Sequence, residues 1–142
     1  MLWLVNEKGE LLLARRADHK KQDPGLWGPS VTGKVEHGES FEEALVREAD
    51  EELTLKADAY SYKFLFETDF AHPDGETRLF KVYIANVLGS IIEQLTIDTN
   101  EVAEIKWMSV ERIKELLQSK PGELVVASAF VLWNQIFDAL EK

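Results

Sequence analysis

The side chains best suited to chemistry lie in an acidic segment in the first half of the chain. Between Glu36 and Glu52 there are eight acidic residues and a single arginine, Arg47. On a helix, the spacing of Glu48, Glu51 and Glu52 places three carboxylates on one face, at a cost of roughly 0.2–0.5 kcal/mol per like-charged pair. They also lie towards the helix C-terminus, where the macrodipole disfavours anions. We therefore predict a site for a hard metal ion, the alternative being a solvated acidic helix face.

Length and composition limit the classes of protein to which the chain can belong. With 142 residues, 45% of them hydrophobic, we expect one domain over residues 1–142. The net charge of −10 argues against binding to a nucleic acid polymer, which needs a basic face. A small phosphorylated ligand stays compatible, because a metal can neutralise it locally. The absence of cysteine excludes disulfides, zinc–thiolate sites and cysteine nucleophiles, and we expect a cytoplasmic protein.

The chain shows no segment for membrane insertion or export. No stretch approaches the roughly 20 apolar residues of a membrane span, so no membrane partner is expected. The first residues lack the charged region and the long apolar run of a signal peptide. They predict a strand that begins almost at Met1, which leaves open whether an N-terminal segment is missing.

The helix that carries the acidic residues has clear sequence signals. Ser40 followed by Glu43 forms a capping box, which predicts Ser40 as the N-cap. Apolar residues recur every four positions and supply a buried stripe, formed by Phe41, Leu45, Ala49 and Leu53. The three clustered glutamates fall off this stripe, so they can face an open site while the helix packs.

Apolar runs and turn residues predict the remaining elements. The predicted strands are a hairpin at 2–5 and 11–15, a short strand at 30–33, two longer strands at 60–70 and 79–88 joined by a turn at 72–75, and a last strand at 102–108. One helix is predicted at 110–117 and another from near Pro121 to about 140. This order predicts an α/β protein with a mixed sheet between helices.

The acidic segment resembles the Nudix signature, G-x5-E-x7-R-E-U-x-E-E-x-G-U, where U is a bulky apolar residue. The matching residues lie within 33–55 and are Gly33, Glu39, Arg47, Glu48, Glu51, Glu52 and Leu55, with Ala49 as a small residue at the first U. Thr54 replaces the second glycine, which would provide a left-handed residue at the helix exit, so helix termination is in question there. The resemblance covers essentially the whole chain and implies the Nudix α/β/α sandwich with a mixed β-sheet.

The resemblance also implies an activity, the hydrolysis of a diphosphate bond in a nucleoside diphosphate linked to another group. The implied cofactor is Mg²⁺ (or Mn²⁺), which neutralises phosphoryl charge and generates hydroxide from bound water. Glu48 and Glu52 are the expected main ligands, and Glu51 is expected to be a ligand or a base. Carboxylates with waters and phosphate oxygens are the ligands that Mg²⁺ prefers.

Other residues are expected to support this chemistry. Arg47 would hold a carboxylate in place by a charge-assisted hydrogen bond. Glu39 would assist a ligand or act through water, and the Gly33 carbonyl would complete the metal shell. Glu101 is a candidate general base or extra ligand, because family members often place an acid after the signature. Glu104 competes for that role, and either can instead be an ordinary strand-edge acid.

Within the family, the flanking residues look most like those of the isopentenyl-diphosphate isomerases. The shared residues are Arg15-Arg16-Ala17, Lys20-Lys21, Pro24-Gly25, Trp27 and Ser30-Val31. The isomerase's catalytic cysteine falls on Thr32 and a metal-binding histidine on Lys34, and a segment with two more histidine ligands would precede Met1. Because a threonine hydroxyl cannot replace the thiol in a 1,3-proton shift, we expect hydrolysis. Isomerisation of a prenyl diphosphate and a catalytically silent nucleotide-binding module are the alternatives.

A basic cluster precedes the signature. Arg15, Arg16, Lys20 and Lys21 are expected to bind phosphates of a small phosphorylated substrate, the alternative being a solvated hairpin edge. Trp27 lies in a loop rich in proline and glycine, where it is expected either to stack on a substrate group or to pack. The apolar last helix and the abrupt first strand are consistent with a homodimer.

Overall fold

The computed structural model describes residues 1–71, 75–124 and 130–141 of the chain. The strands are β1 (Leu2–Val5), β2 (Leu11–Arg16), β3 (Trp27–Gly28), β4 (Lys63–Ala71), β5 (Thr77–Asn86) and β6 (Val102–Met108). The helices are α1 (Phe41–Leu53), α2 (Val110–Ser119) and α3 (Phe130–Leu140), with short 3-10 turns at Ala57–Ala59, Gly89–Gln94 and Pro121–Glu123.

The strands form one mixed sheet. Its order is β3-β2-β1-β5-β4, and β6 pairs with β2 outside this path. The β1–β5 pairing is parallel, whereas the β1–β2, β2–β3, β2–β6 and β4–β5 pairings are antiparallel. The hairpin of β1 and β2 and the mixed sheet predicted from the sequence are therefore confirmed.

Alternation along β1 divides the apolar residues between two layers. Leu2 and Leu4 belong to the core that α1 covers, together with Leu45, Ala49 and Leu53 of the predicted stripe. The fourth member of the stripe, Phe41, is only half-buried. Trp3 and Val5 belong to the core beneath α2 and α3, where Trp3 meets Trp133 edge-to-face at 5.2 Å between ring centroids. Helices thus cover both faces of the sheet, and the predicted α/β/α sandwich is confirmed. None of the helices in the described part of the chain is long and apolar enough to cross a membrane.

Local signals set both ends of α1. The predicted capping box is present, with the Glu43 amide donating to Ser40 Oγ at 3.1 Å and the Ser40 amide donating to Glu43 Oε1 at 3.1 Å. At the other end Thr54 adopts the left-handed conformation (φ 57°, ψ 32°) that the signature assigns to glycine. Its amide donates to the Asp50 carbonyl at 2.9 Å, and its Oγ1 donates to the Thr96 carbonyl at 3.0 Å. The helix therefore ends at Leu53, directly before Thr54, without a glycine.

The strand predicted at 30–33 is wrong. The strand in this region is β3, which pairs with β2 and ends before Pro29, and Val31 forms only an isolated bridge with β1. The buried Ser30 hydroxyl accepts a hydrogen bond from the Leu4 amide at 2.9 Å and donates to the Leu12 carbonyl at 2.6 Å. A side chain thus joins β1 to β2 where the sequence pattern suggested a continuous strand.

The helix predicted from Pro121 starts differently in the structure. Pro121–Glu123 is a 3-10 turn, and the next residue, Leu124, is buried and forms a parallel bridge with Trp27. This pairing holds Leu124 in an extended conformation, which ends any helix begun at the proline. Residues 125–129 lie outside the described part, and so do residues 72–74 of the predicted turn.

Candidate active site

The C-terminal half of α1 separates the three glutamates that the sequence places on one face. Glu52 follows the buried Leu45 by seven residues, two helical turns, and it is itself buried with 9% of its surface exposed. Glu48 is half-buried, whereas 59% of the Glu51 side chain is exposed. The structure therefore forms a pair from Glu48 and Glu52 and leaves Glu51 on the solvent side.

Arg47 ties α1 to the loop that precedes it. Its Nε and Nη2 donate to the two carboxylate oxygens of Glu39 at 2.7 and 3.1 Å, a bidentate pairing. Its Nη1 donates to Glu48 at 2.9 Å and to Glu51 at 3.2 Å, and Nη2 also donates to the Lys34 carbonyl at 3.0 Å. The hydrogen bond from Arg47 lowers the pKa of Glu39, and Glu39 in turn raises the pKa of Arg47. Arg47 thereby orients Glu48 and positions the loop in front of it.

Gly33 provides the space in which Glu48 lies. A β-carbon on Gly33 would be 2.2 Å from Cγ and 2.6 Å from Oε1 of Glu48, well inside van der Waals contact. The Glu48 side chain is therefore laid directly against the Gly33 backbone. Any other residue at this position would displace the carboxylate.

Burial and mutual repulsion disfavour two negative charges on the Glu48–Glu52 pair. Burial, followed by the charge of Glu48 and a hydrogen bond with it, raises the pKa of Glu52 to about 9. The charge of Glu101 adds to this rise in pKa, and the charge of Arg16 opposes it. The pair therefore retains a proton at neutral pH unless a cation compensates the second negative charge.

A small cavity, which we call the Glu52 cavity, adjoins the pair. Its volume is about 30 Å³, and its walls include Arg16, Ser30, Thr32, Glu52, Glu101 and Val102. This volume has room for an ion and water, and it is far below the roughly 300 Å³ at which ordinary ligand pockets begin. The cavity thus brings the guanidinium of Arg16 close to the carboxyl groups of Glu52 and Glu101. Thr32, at the position of the isomerase cysteine, lines it as well.

The donors at this point fit a hard divalent cation. In the described part of the chain no three carboxylate or histidine side chains converge as a ready-made metal site, and Arg47 draws Glu39 and Glu48 to itself. Arg47 donates to Oε1 of Glu48, which leaves Oε2 of Glu48 and the carboxyl group of Glu52 as candidate oxygens. Mg²⁺ typically takes one or two carboxylates with waters and phosphate oxygens. A cation would also relieve the repulsion that raises the pKa of Glu52. The candidate ligands are therefore Glu48, Glu52 and the carbonyl of Gly33.

The basic cluster divides between the cavity and the surface. Lys20 Nζ donates to Oε2 of Glu101, the candidate base, at 2.6 Å. Arg15 Nε donates instead to Oε1 of Glu104 at 3.2 Å. Because neighbouring side chains on a strand point to opposite faces, Arg16 and not Arg15 reaches the Glu52 cavity.

Trp27 and Lys21 lie at the edge of this region. Trp27 is half-buried and packs against the core beneath α2 and α3, and Lys106 Nζ lies 5.4 Å from its ring centroid. These contacts support packing, so stacking of Trp27 on a substrate stays a prediction. Lys21 is exposed, and its contact with phosphate also stays a prediction.

A second and larger cavity lies between α1 and β5, and the sequence analysis did not predict it. It includes Glu48 among its walls. The apolar stripe of α1 is expected to be buried, and no short-range pattern shows that a space opens between α1 and β5.

Comparison with models of protein families gives a match to the NUDIX domain over residues 1–128. The chain belongs to the NUDIX domain family. This membership confirms the resemblance drawn from the signature. In this NUDIX domain the signature residues are those that form the Arg47 network and the Glu48–Glu52 pair.

Relatives of this NUDIX domain include isopentenyl-diphosphate Delta-isomerases. The enzyme of Klebsiella pneumoniae (strain 342) is 33% identical over 122 residues, which cover 84% of this chain and 64% of the relative. That of Paenarthrobacter aurescens (strain TC1) is 32% identical over 138 residues, which cover 92% of this chain and 67% of the relative. The chain thus spans about two thirds of the length of these relatives. The similarity of its flanking residues to the isomerase branch is confirmed.

Solved structures show the same fold. The MutT protein from Methanosarcina mazei Go1 is 25% identical with a TM-score of 0.74, over 99% of this chain and 91% of that one. A protein from Deinococcus radiodurans is 28% identical with a TM-score of 0.69, over 84% of this chain and 70% of that one. Both therefore support the NUDIX architecture assigned to the described residues.

Proposed function

We propose that this NUDIX domain protein is a divalent-metal-dependent hydrolase that cleaves a diphosphate linkage in a small phosphorylated substrate. The observation that carries the proposal is the Glu48–Glu52 pair, in which Glu52 is buried at the Glu52 cavity and Glu48 lies against Gly33. A cation bound there, Mg²⁺ or Mn²⁺, would neutralise phosphoryl charge and lower the pKa of a bound water.

The neighbouring residues have distinct tasks in this proposal. Arg47 positions Glu48, and Arg16 and Lys20 bind phosphate oxygens from the wall and rim of the Glu52 cavity. Glu101 lines the same cavity and accepts the proton of the attacking water at Oε1, since Oε2 already accepts from Lys20. Substrate phosphate that attracts Lys20 would also release Oε2.

Isomerisation of a prenyl diphosphate is the second candidate, favoured by the similarity to isopentenyl-diphosphate isomerases. That reaction needs an acid and a base on opposite faces of an alkene. Thr32 lines the Glu52 cavity at the position that the isomerase gives to cysteine, and its hydroxyl is far too weak an acid to replace a thiol. The local chemistry therefore favours hydrolysis.

The test is turnover with Mg²⁺ across nucleoside triphosphates, ADP-ribose, nucleotide sugars and prenyl diphosphates. We expect release of phosphate or a nucleoside monophosphate, and loss of at least about 100-fold in kcat/KM in Glu52→Gln, because a metal ligand is removed. Glu115→Gln, an exposed carboxylate of α2, is the matched control and should retain full activity. Circular dichroism confirms that both variants are folded.

Three results would overturn the proposal in different directions. Full activity in Glu52→Gln would refute the assignment of the site. Conversion of isopentenyl diphosphate to its isomer would favour the second candidate. Stabilisation by a nucleotide without any turnover would favour a silent binding module.

A further inference from the structure

The cavity between α1 and β5, which we call the α1–β5 cavity, has the size of a ligand-binding pocket. Its volume is about 360 Å³, against about 30 Å³ for the Glu52 cavity. Pockets for small molecules begin at roughly 300 Å³. The organic part of a substrate therefore fits the α1–β5 cavity, and only an ion, water or phosphate oxygens fit the Glu52 cavity.

The two members of the glutamate pair line different cavities. Glu48 lines the α1–β5 cavity, while Glu52 lines the other, and the two side chains share a hydrogen bond. Gly33 also lines the α1–β5 cavity, and its missing side chain lets Glu48 lie between the two spaces. A diphosphate at the pair would therefore have one of its substituents next to the α1–β5 cavity.

Most of the side chains that line this cavity are apolar. They include Leu2, Val31, Phe41, Leu45, Leu79 and Tyr83. Among the described residues that line it, Tyr83 is the one with a neutral polar side chain, and its hydroxyl donates to Glu42 at 2.8 Å. The remaining polar side chains that line it, Lys34, Glu48 and Lys81, are charged. The neutral hydrogen-bonding groups of a nucleobase or a sugar would therefore find few matching partners there, which disfavours both.

The solvent edge of the cavity combines exposed apolar surface with positive charge. Val35 and Leu79 are 41% and 52% exposed, although both are large apolar residues. Two lysines line the same cavity. Lys34 is exposed, and Lys81 is half-buried with its Nζ 4.6 Å from the Phe41 ring centroid. The two ammonium groups are suited to the phosphate oxygens of a ligand whose other end is apolar.

We propose that the α1–β5 cavity binds an apolar substituent, esterified to the diphosphate that the Glu48–Glu52 pair acts on. The preferred substrate is then an unsymmetrical diphosphate with one alkyl or aryl substituent. This inference rests on the proposed function. It adds to that function a preference that the signature does not contain, because Gly33 and Glu48 are the two signature residues among the described residues that line the cavity.

The test compares the β-hexyl and β-methyl esters of ADP, which differ by five methylene groups. Because two methylene groups that leave water improve binding about tenfold, we expect kcat/KM with Mg²⁺ to be at least about tenfold higher for the hexyl ester. Calorimetry in EDTA, where hydrolysis is absent, should show the same preference in Kd. The preference is thereby measured independently of turnover.

Two variants and one control locate the preference. Leu79→Gln places a polar amide at the exposed edge, and Ala44→Leu fills space at a buried wall. Both should reduce the hexyl-to-methyl ratio of kcat/KM at least about threefold. Leu88→Gln is the matched control, since Leu88 is 68% exposed and lines neither cavity. Leu79→Gln alone remains decisive if Ala44→Leu does not fold.

Equal kcat/KM and equal Kd for the two esters in the wild type would overturn the inference. A hexyl preference that survives in Leu79→Gln and in folded Ala44→Leu would also overturn it, because the apolar site would then lie elsewhere. If neither these esters nor the wider substrate panel is hydrolysed, the proposed function fails. The calorimetric comparison in EDTA then still decides whether the cavity binds the hexyl group.

Discussion

At the scale of single residues, burial distinguishes glutamates that have the same chemistry. Glu52 lies at the border of the buried stripe of α1, whereas Glu51 is largely exposed and contacts Arg47 from the solvent side. The repulsion between carboxylates is therefore strongest between Glu48 and Glu52. Because Arg47 is already bonded to Glu39 on its other edge, it orients Glu48 without neutralising the buried carboxylate of Glu52.

The raised pKa of Glu52 predicts how stability depends on pH. The group moves from its ordinary pKa of 4.5 to about 9 in the fold, so the folded state binds the extra proton between those values. The free energy of unfolding therefore declines as pH rises through this interval. Glutamine does not titrate, so Glu52→Gln should lack this part of the pH-dependent decline in unfolding free energy. At pH 8 we expect the variant to be more stable than the wild type by roughly 1–3 kcal/mol.

Urea unfolding at pH 6 and pH 8 in EDTA checks this prediction. Adding Mg²⁺ should then stabilise the wild type and not Glu52→Gln, because only the wild type keeps both carboxylates. Glu115→Gln should follow the wild type throughout. Equal pH dependence in Glu52→Gln and the wild type would contradict the burial argument.

At the scale of elements, the end of α1 is joined to the segment that leads into β6. The Thr96 amide donates to the Leu53 carbonyl at 3.0 Å, and the Asp98 amide donates to the Glu52 carbonyl at 2.8 Å. Thr54 adds the bond from its Oγ1 to the Thr96 carbonyl. The first two bonds satisfy carbonyls that a helix end leaves free. All three bonds join the end of α1 to the segment that leads to Glu101.

Thr54 therefore has a task that the glycine of the signature cannot perform. Thr54→Val keeps the branched side chain and the left-handed backbone but removes the hydroxyl, and we expect a loss of roughly 1–2 kcal/mol in unfolding free energy. Thr54→Ser keeps the hydroxyl and should change stability by less than about 0.5 kcal/mol. Chemical denaturation of both variants measures the difference. Equal stability of the valine and serine variants would show that the hydroxyl contributes nothing.

At the scale of the whole molecule, one sheet separates the candidate site from the larger core. The α1 layer carries the glutamate pair, and the α2–α3 layer holds the Trp3–Trp133 contact on the opposite face. A domain of this size generally unfolds as one unit, so both layers share a single unfolding free energy. A change in the far layer should thus affect stability and leave the geometry of the site intact.

Ile136→Ala tests this separation. Ile136 is fully buried in α3, and its truncation should lower the unfolding free energy by about 2–5 kcal/mol. At 10–15 °C, where the variant stays folded, KM for the best substrate should remain within twofold of the wild type. Asp138→Asn, an exposed change on the same helix, should change neither quantity. A KM shift in Ile136→Ala without loss of stability would show coupling between the layers.

Elements with strong local signals were predictable. The capping box predicts the start of α1, and β6 has the predicted bounds. The errors in the predicted elements arise where contacts between residues far apart in the sequence determine the structure. The Ser30 hydroxyl joins β1 to β2, and Leu124 pairs with Trp27, which lies 97 positions earlier in the sequence (124 minus 27). Local propensity contains no information about such contacts.

The amino-acid sequence was enough to assign the family, to order the strands and helices, and to name carboxylates as candidate metal ligands, because these depend on residue type and on spacing within a few turns. Tertiary structure decided which acids form the buried pair, that Arg16 and not Arg15 lines the Glu52 cavity, and that an apolar space opens between α1 and β5. The physical reason is that burial, and with it every shift in pKa, depends on surfaces supplied by elements far apart in the chain.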